Sequence, residues 1–175
     1  MDGMVVEIFV LSILRSGPVH GYELKRRVQR PSLTPLSNNS LYPMLRRFEA
    51  DGLVTKTIEE QDGKPSRKVY AITDAGRDRL RTLLSALPPE LATSDEEFLV
   101  RMSFFHEIPI PARRAILAAR AAVLDGASAQ VGELLAESEN TEARAWRRLA
   151  MQRVLDTTNS ERAWLAEIAK KAETE

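Results

Sequence analysis

The 175-residue chain contains no cysteine, which excludes disulfides, thiolate metal sites and cysteine nucleophiles together. Its stability has to come from burial. Histidine occurs only twice: His20 reads as preceding or capping a helix and His106 as closing one, where its charge would favour the dipole, and neither reads as a metal ligand. No apolar run approaches the roughly 18 to 20 residues a membrane span needs, and no basic segment followed by an apolar core and a cleavage site opens the chain. Cytoplasmic residence and no membrane partner are the expectation. Paired carboxylates, a histidine cluster, a nucleophile elbow and a glycine-rich phosphate loop are all missing, so the chain does not read as an enzyme and neither metal nor other cofactor is expected. A net charge of one sign is lacking as well, since 25 Lys+Arg balance 25 Asp+Glu.

That balance is uneven along the chain. Residues 1–85 carry 14 Lys+Arg against 10 Asp+Glu, whereas residues 86–175 carry 11 against 15. A basic front suits a phosphate-binding module, and an acidic back suits a module whose partners are proteins or small molecules. The hydrophobic content of 43% is ample for a packed core, and the length suits one ordinary domain or two small ones.

Periodicity divides the front half into helices and a hairpin. Val5, Ile8, Phe9, Ser12 and Ile13 trace a first helix from about Met4 to Arg15, stopped by Ser16-Gly17-Pro18. A second runs from His20 to about Arg30, with Tyr22, Leu24 and Val28 as its apolar surface and Pro31 and Pro35 closing it. Leu41, Leu45 and Phe48 at i, i+4 and i+7 line one face of a third helix that ends at Asp51-Gly52. Ser40 as N-cap places Pro43 inside the first turn, where a missing N–H is harmless; a start at Ser37 would cost one hydrogen bond. Strands over Leu53–Ile58 and Val69–Thr73 flank Asp62-Gly63, a strong hairpin signal because both residues tolerate positive φ. Thr73 or Asp74 then caps a fourth helix carrying Leu80, Leu83, Leu84 and Leu87. Three helices followed by a hairpin is the order of a winged helix-turn-helix domain.

The fold class expected is mainly α with a small β-hairpin wing. A winged domain over residues 1–86 is followed by a linker at 87–93, where prolines and capping residues cluster, and by an α-helical domain over 94–175. In that second domain, Ser94 or Asp95 caps a helix with Phe98, Met102 and Phe105 at i, i+4 and i+7. Ile108-Pro109-Ile110-Pro111 breaks it, and two long helices follow, from Pro111 to about Ser138 and from about Thr141 to Lys171. Leu117, Leu124, Val131 and Leu134 on one, with Trp146, Leu149, Ala150, Val154, Trp164, Leu165 and Ile168 on the other, form stripes at three- and four-residue spacing. Two helices cannot bury stripes of that length on each other alone, so an antiparallel, coiled-coil-like arm covered by a second chain, a homodimer, is expected. The dimerisation residues are Leu117, Leu124, Val131, Trp146, Leu149, Val154, Trp164 and Ile168.

Five linked motifs point further: Gly21-Tyr22-Glu23-Leu24; Ser40-Leu41-Tyr42-Pro43 followed by Leu45-Arg46-Arg47-Phe48-Glu49; Gly52-Leu53-Val54; Pro65-Ser66-Arg67-Lys68-Val69-Tyr70; and Ile72-Thr73-Asp74-Ala75-Gly76. In this order and spacing the first half resembles the PadR-type transcriptional regulators, the phenolic acid decarboxylase repressor family, and the helical second half is similar to its longer-tailed members. The resemblance implies a dimeric winged-helix repressor whose two third helices enter successive major grooves of a palindromic operator in double-stranded DNA. It implies groove contacts from Asn38, Asn39, Ser40 and Tyr42 at the start of the third helix, with Arg46 reaching phosphate or base, and wing contacts from Lys64 and Arg67. Many relatives have glycine and threonine where this chain has Asn39 and Ser40, and a double proline where it has Pro65-Ser66.

Each of these residues also has a plainer role open to it. Tyr42 lies about 100° from the core face, between packing and DNA contact. Asn39 either caps a helix or reads a base, for which an amide suits adenine. Arg46 and Arg47 point different ways, so one faces phosphate and the other an ion-pair partner, with Arg46 preferred for DNA. Tyr22 and Lys25 either stabilise the second helix or touch the DNA backbone, and of Arg67 and Lys68 on one strand a single side chain should point outward. Trp146 and Trp164 read as dimer-core anchors before ligand platforms. A cavity near the domain junction, lined by aromatics such as Phe98, Phe104 and Phe105, would accept a small aromatic or planar effector. The rivals are a MarR-type regulator, which would usually place a dimerisation helix before the first helix, and a winged-helix protein-interaction module that never touches DNA.

Overall fold

The structure is a computed structural model, and its described residues are 3–29, 38–61, 64–136 and 142–173. Pro31, Pro35, Ser37 and the Asp62-Gly63 turn lie outside the described residues, as do the side chains of Asn38, Asn39, Ser40 and Lys64. The chain forms two compact units, Met1–Leu84 and Ser85–Glu175. Among the described residues no helix is long and apolar enough to cross a membrane.

The first unit runs α1 (Gly3–Arg15), β1 (Val19–His20), α2 (Gly21–Gln29), α3 (Asn38–Ala50), β2 (Val54–Gln61), β3 (Lys64–Ile72) and α4 (Asp74–Ser85). The three strands form one antiparallel sheet in the order β1-β3-β2, so this unit is a winged helix with a third, two-residue strand. That strand was not expected. Val19 and His20 pair with Tyr70 and Val69, a long-range pairing with no local periodicity to announce it.

Three expectations need correction. α1 buries Val5, Ile8, Val10, Leu11 and Leu14, while Phe9 and Ile13 are only half-buried; the helix is apolar nearly all round, so spacing could not fix its inner face. α2 buries Gly21, Leu24 and Val28, and Tyr22 is 76% exposed, off the apolar surface rather than part of it. α3 starts at Asn38 with Pro43 inside it, so the proline falls in the second turn and one intrahelical bond is missing. Full burial of Leu41, Leu45 and Phe48 holds the helix regardless.

The end of α3 is tightly specified. The Leu53 N–H donates to the Phe48 carbonyl at 2.8 Å and the Gly52 N–H to the Glu49 carbonyl at 3.2 Å, with Gly52 at φ 70, the paired bonds of a Schellman cap. Thr73 then ties this corner to the next helix. Its Oγ1 donates towards the Gly52 and Leu53 carbonyls at 2.7 and 3.0 Å and accepts from the Gly76 N–H at 3.1 Å, capping α4. Gly76 is required by space, because a Cβ there would stand 2.1 Å from the Leu53 carbonyl oxygen.

The second unit holds α5 (Asp95–Met102), a 3-10 turn (Phe105–Glu107), α6 (Ile110–Ala136) and α7 (Glu142–Ala172). Ser94 caps α5, accepting from the Glu97 N–H at 3.3 Å. The helix stops at Met102, so Phe105 and His106 fall in the 3-10 turn rather than on the expected helix. α6 packs along α7. Leu117, Leu124 and Leu165 are buried within this unit, and Phe98 meets Trp164 edge-on at 6.2 Å. Trp146, Leu149 and Val154 are instead 75%, 61% and 50% exposed. The stripe marked for a partner chain therefore divides, part of it serving the unit's own core.

Candidate nucleic-acid interface

In the first unit, three elements converge on one surface. His20, Gly21, Tyr22 and Glu23 at the β1–α2 junction, Tyr42 on α3, and Ser66, Arg67 and Lys68 on β3 line a concavity of about 520 Å³. The hairpin makes this possible. β1 covers β3 only as far as Val69, so beyond it the wing is a two-stranded ribbon open on both faces. Arg67 and Lys68, on opposite faces of this ribbon, are both exposed, against the expectation that only one would be. Across the ribbon Arg67 faces Glu59 and Lys68 faces Ile58.

α3 presents distinct flanks. Arg46 is exposed, and among the described residues no carboxylate pairs with it. Arg47 lies on the other flank, 4.0 Å from a buried Glu7 carboxylate oxygen, with its guanidinium 5.6 Å from the Phe48 ring centroid. Glu7 belongs chiefly to Arg79, whose Nε donates to it at 2.9 Å, and that hydrogen bond raises the pKa of Arg79 despite burial. Tyr42 is half-buried rather than free, because its ring edge lies close above Gly21.

At the start of α2, Glu23 accepts from Arg27 Nε at 2.8 Å and from Arg26 Nη2 at 3.0 Å. Arg27 first and Arg26 second hold its carboxyl below the usual 4.5. Lys25, between Glu23 and the arginines in sequence, is half-buried. Glu23 and Arg27 also border a smaller cup of about 250 Å³ with Ser16, Gly17, Pro18, Val19 and His20. His20 is common to both concavities, and its Nδ1 is buried without a hydrogen-bond partner among the described residues.

Tyr22, Tyr42 and Arg67 of the anticipated set thus line one concavity, with Arg46 exposed on the same helix as Tyr42. His20, Ser66 and Lys68 line it too and stood outside that set, His20 having been read as preceding or capping a helix and Lys68 weighed against Arg67. Only the alternation of exposed residues in a ribbon lacking a third strand could have marked Ser66 and Lys68. Among the described residues no group of three or more His, Cys, Asp or Glu is placed to hold a metal.

Comparison with known proteins agrees with this unit. Residues 10–82 match the model of the transcriptional regulator PadR-like family. The chain is 37% identical over 75 residues to the transcriptional regulator Rv3488 of Mycobacterium tuberculosis, covering 43% of this chain and 68% of that protein. It is 26% identical over 102 residues to the negative transcriptional regulator PadR of Bacillus subtilis, where the match covers 57% of this chain and only 56% of that protein. A crystal structure of Bacillus subtilis PadR in complex with operator DNA aligns over 96% of this chain and 99% of its own at 20% identity, with a TM-score of 0.45. On the family match and the Mycobacterium relative, the chain belongs to the PadR-like family of transcriptional regulators.

Proposed function

We propose that this protein is a homodimeric repressor that binds a palindromic operator in double-stranded DNA through residues 1–86 and dimerises through residues 94–175. The observation that carries the reading is the shared concavity, in which the exposed start of α2, Tyr42 of α3 and the basic strand of the wing open to one side. A helix start with a tyrosine and an outward arginine suits a major groove, and a ribbon bearing Arg67 and Lys68 suits the adjoining phosphates. Asn38, Asn39 and Ser40 at the start of α3 and Lys64 on the wing complete the proposed contacts. Tyr22 and Lys25 are assigned to the DNA backbone.

Dimerisation is supported by the exposed apolar side chains of α6 and α7, Leu134, Trp146, Leu149 and Val154, which water disfavours. Val131 and Ile168 are half-buried on the same helices. A small planar effector would act by favouring one disposition of the paired winged domains, since a ligand shifts an equilibrium only through its differential affinity for the two states.

Selecting bound fragments from genomic DNA and titrating salt tests the reading. The expected result is an enriched palindrome, with log affinity falling by about 0.9 for each phosphate contacted per unit of log salt. The absence of salt-dependent retention on duplex would assign the winged domain to protein partners instead. Sedimentation of the free protein and of the operator complex tests the dimer, which a monomer in both would remove.

A further inference from the structure

Gly21 opens α2 at an ordinary backbone conformation, since among the described residues the positive-φ glycines are Gly17 and Gly52. Its lack of a side chain therefore answers to space. A Cβ at this position would lie 3.2 Å from Tyr70 Cε2, 3.5 Å from Tyr42 Cε1 and 3.8 Å from the Tyr42 hydroxyl. Two tyrosine rings, one from β3 and one from α3, thus both lie within 4 Å of the place a Gly21 side chain would take.

Tyr70 is 4% exposed, whereas Tyr42 beside it still reaches the concavity. Tyr42, Arg46 and Glu49 recur at i, i+4 and i+7, a flank about 100° round from the Leu41, Leu45 and Phe48 stripe. The Tyr70 hydroxyl feels all three, together with Lys56; burial is the largest influence on it and raises its pKa. Lys56 pairs with Tyr70 across the strands and donates to Glu49 Oε2 at 2.7 Å. α3 is therefore tied to the sheet near its end by Glu49, while near its start Tyr42 stands beside the Gly21 backbone of α2.

We propose that Tyr70 is a positioning residue for DNA recognition: its ring, seated against the bare backbone of Gly21, fixes where Tyr42 stands in the interface. This rests on the DNA-binding reading above. Tyr42 then arrives at the duplex with its side-chain freedom already spent, which favours a contact that discriminates over one that adapts. A methyl at Gly21 would press on the Tyr70 ring by a few tenths of an ångström and reach the Tyr42 ring at ordinary contact distance, while the exposed cations that draw the protein to DNA stay where they are.

The experiment measures affinity for the selected operator and for a scrambled duplex of equal length, across salt, for wild type, Gly21→Ala, Tyr42→Ala and the double variant. Gly21→Ala should lower the operator-over-scrambled ratio about fivefold while leaving the salt slope unchanged. In the Tyr42→Ala background the same change should alter the ratio less than about twofold, as expected when one residue acts through the other. Tyr70→Phe should retain the ratio and Tyr70→Leu should lose it, a pair that carries the test even if Gly21→Ala does not fold. A folded Gly21→Ala protein with the wild-type ratio overturns the proposal, as does an equal loss with Tyr42 already absent. Wild-type protein showing no salt-dependent duplex binding would instead remove the DNA reading itself.

Discussion

Arginine is put to opposite uses in the two units. In the first, Arg26, Arg27, Arg46, Arg47 and Arg67 are exposed. In the second, Arg101, Arg113 and Arg120 are only 1%, 6% and 3% exposed, each with its donors aimed at backbone carbonyls near helix ends. Arg101 reaches the Ala86 carbonyl at 2.6 Å, Arg113 the Ile108 and Ala172 carbonyls at 3.0 and 3.3 Å, and Arg120 the Ala92 carbonyl at 2.8 Å. A planar fork of five donors can collect such carbonyls where a lysine could not. Carboxylates complete the environment: Glu97 for Arg101, Asp95 and Glu161 for Arg120. Burial works against the charge of Arg120, and the Glu161 and Asp95 carboxylates outweigh it, so its pKa is raised. Three cations that count towards the formal charge of the back half are thereby withdrawn from its surface, while the five arginines named in the front half stand in water, where a polyanion can find them.

The contrast breaks if the buried arginines prove dispensable. Arg120→Ala leaves Glu161 and the Ala92 carbonyl without their donor and removes the cation 5.8 Å from the Phe98 ring centroid, so urea unfolding should register a loss of about 3–5 kcal/mol. A loss below about 1 kcal/mol would class it with the surface arginines. Gly76→Ala is the next largest effect, because backbone at 2.1 Å cannot yield as a side chain does; a drop of about 1–3 kcal/mol is expected in the same measurement.

Arg46→Ala sharpens the comparison from the other side. Stability should stay within about 0.5 kcal/mol while the salt slope of operator binding loses about 0.9, and Arg47→Ala, removing the partner held near Glu7, should leave the slope close to wild type. Equal slopes for Arg46→Ala and wild type would deny Arg46 its phosphate. The smallest effect concerns pH. An unfolded tyrosine loses its proton near 10.0, while buried Tyr70 keeps its own to higher pH, so the unfolded state binds fewer protons there and stability falls as pH rises past that value. Tyr70→Phe should flatten the fall in denaturant midpoint between about pH 9.5 and 11; an unchanged slope would separate Tyr70 from it.

The features legible in the sequence were those written in short-range spacing. Leu41, Leu45 and Phe48 marked the inner face of α3, Gly52 its end, and Leu80, Leu83 and Leu84 the buried side of α4. What escaped depends on distant partners. β1 exists only because Val19 and His20 find β3 some fifty residues on, and nothing in local spacing singles out the buried arginines, whose acceptors at Ala86, Ala92 and Ala172 are distant in sequence. Pro43 was expected in a first turn because local cost favoured it, and long-range burial of its neighbours overrode that cost. For the candidate interface, Tyr42, Arg46 and Arg67 were readable as exposed or half-exposed polar positions, Tyr22 was placed on the apolar surface of α2 and proved exposed, and Gly21 and Tyr70 could be recognised only once two rings were seen beside one absent side chain.

The corner built on Thr73 has a mechanical consequence. One hydroxyl joins the residues that end α3 to the first turn of α4, and Gly76 lies flush beneath the Leu53 carbonyl with no slack between them. A joint without slack behaves as a weld: torque applied along α4, the helix through which the chain leaves the first unit, reaches the far end of α3 before any loop can absorb it.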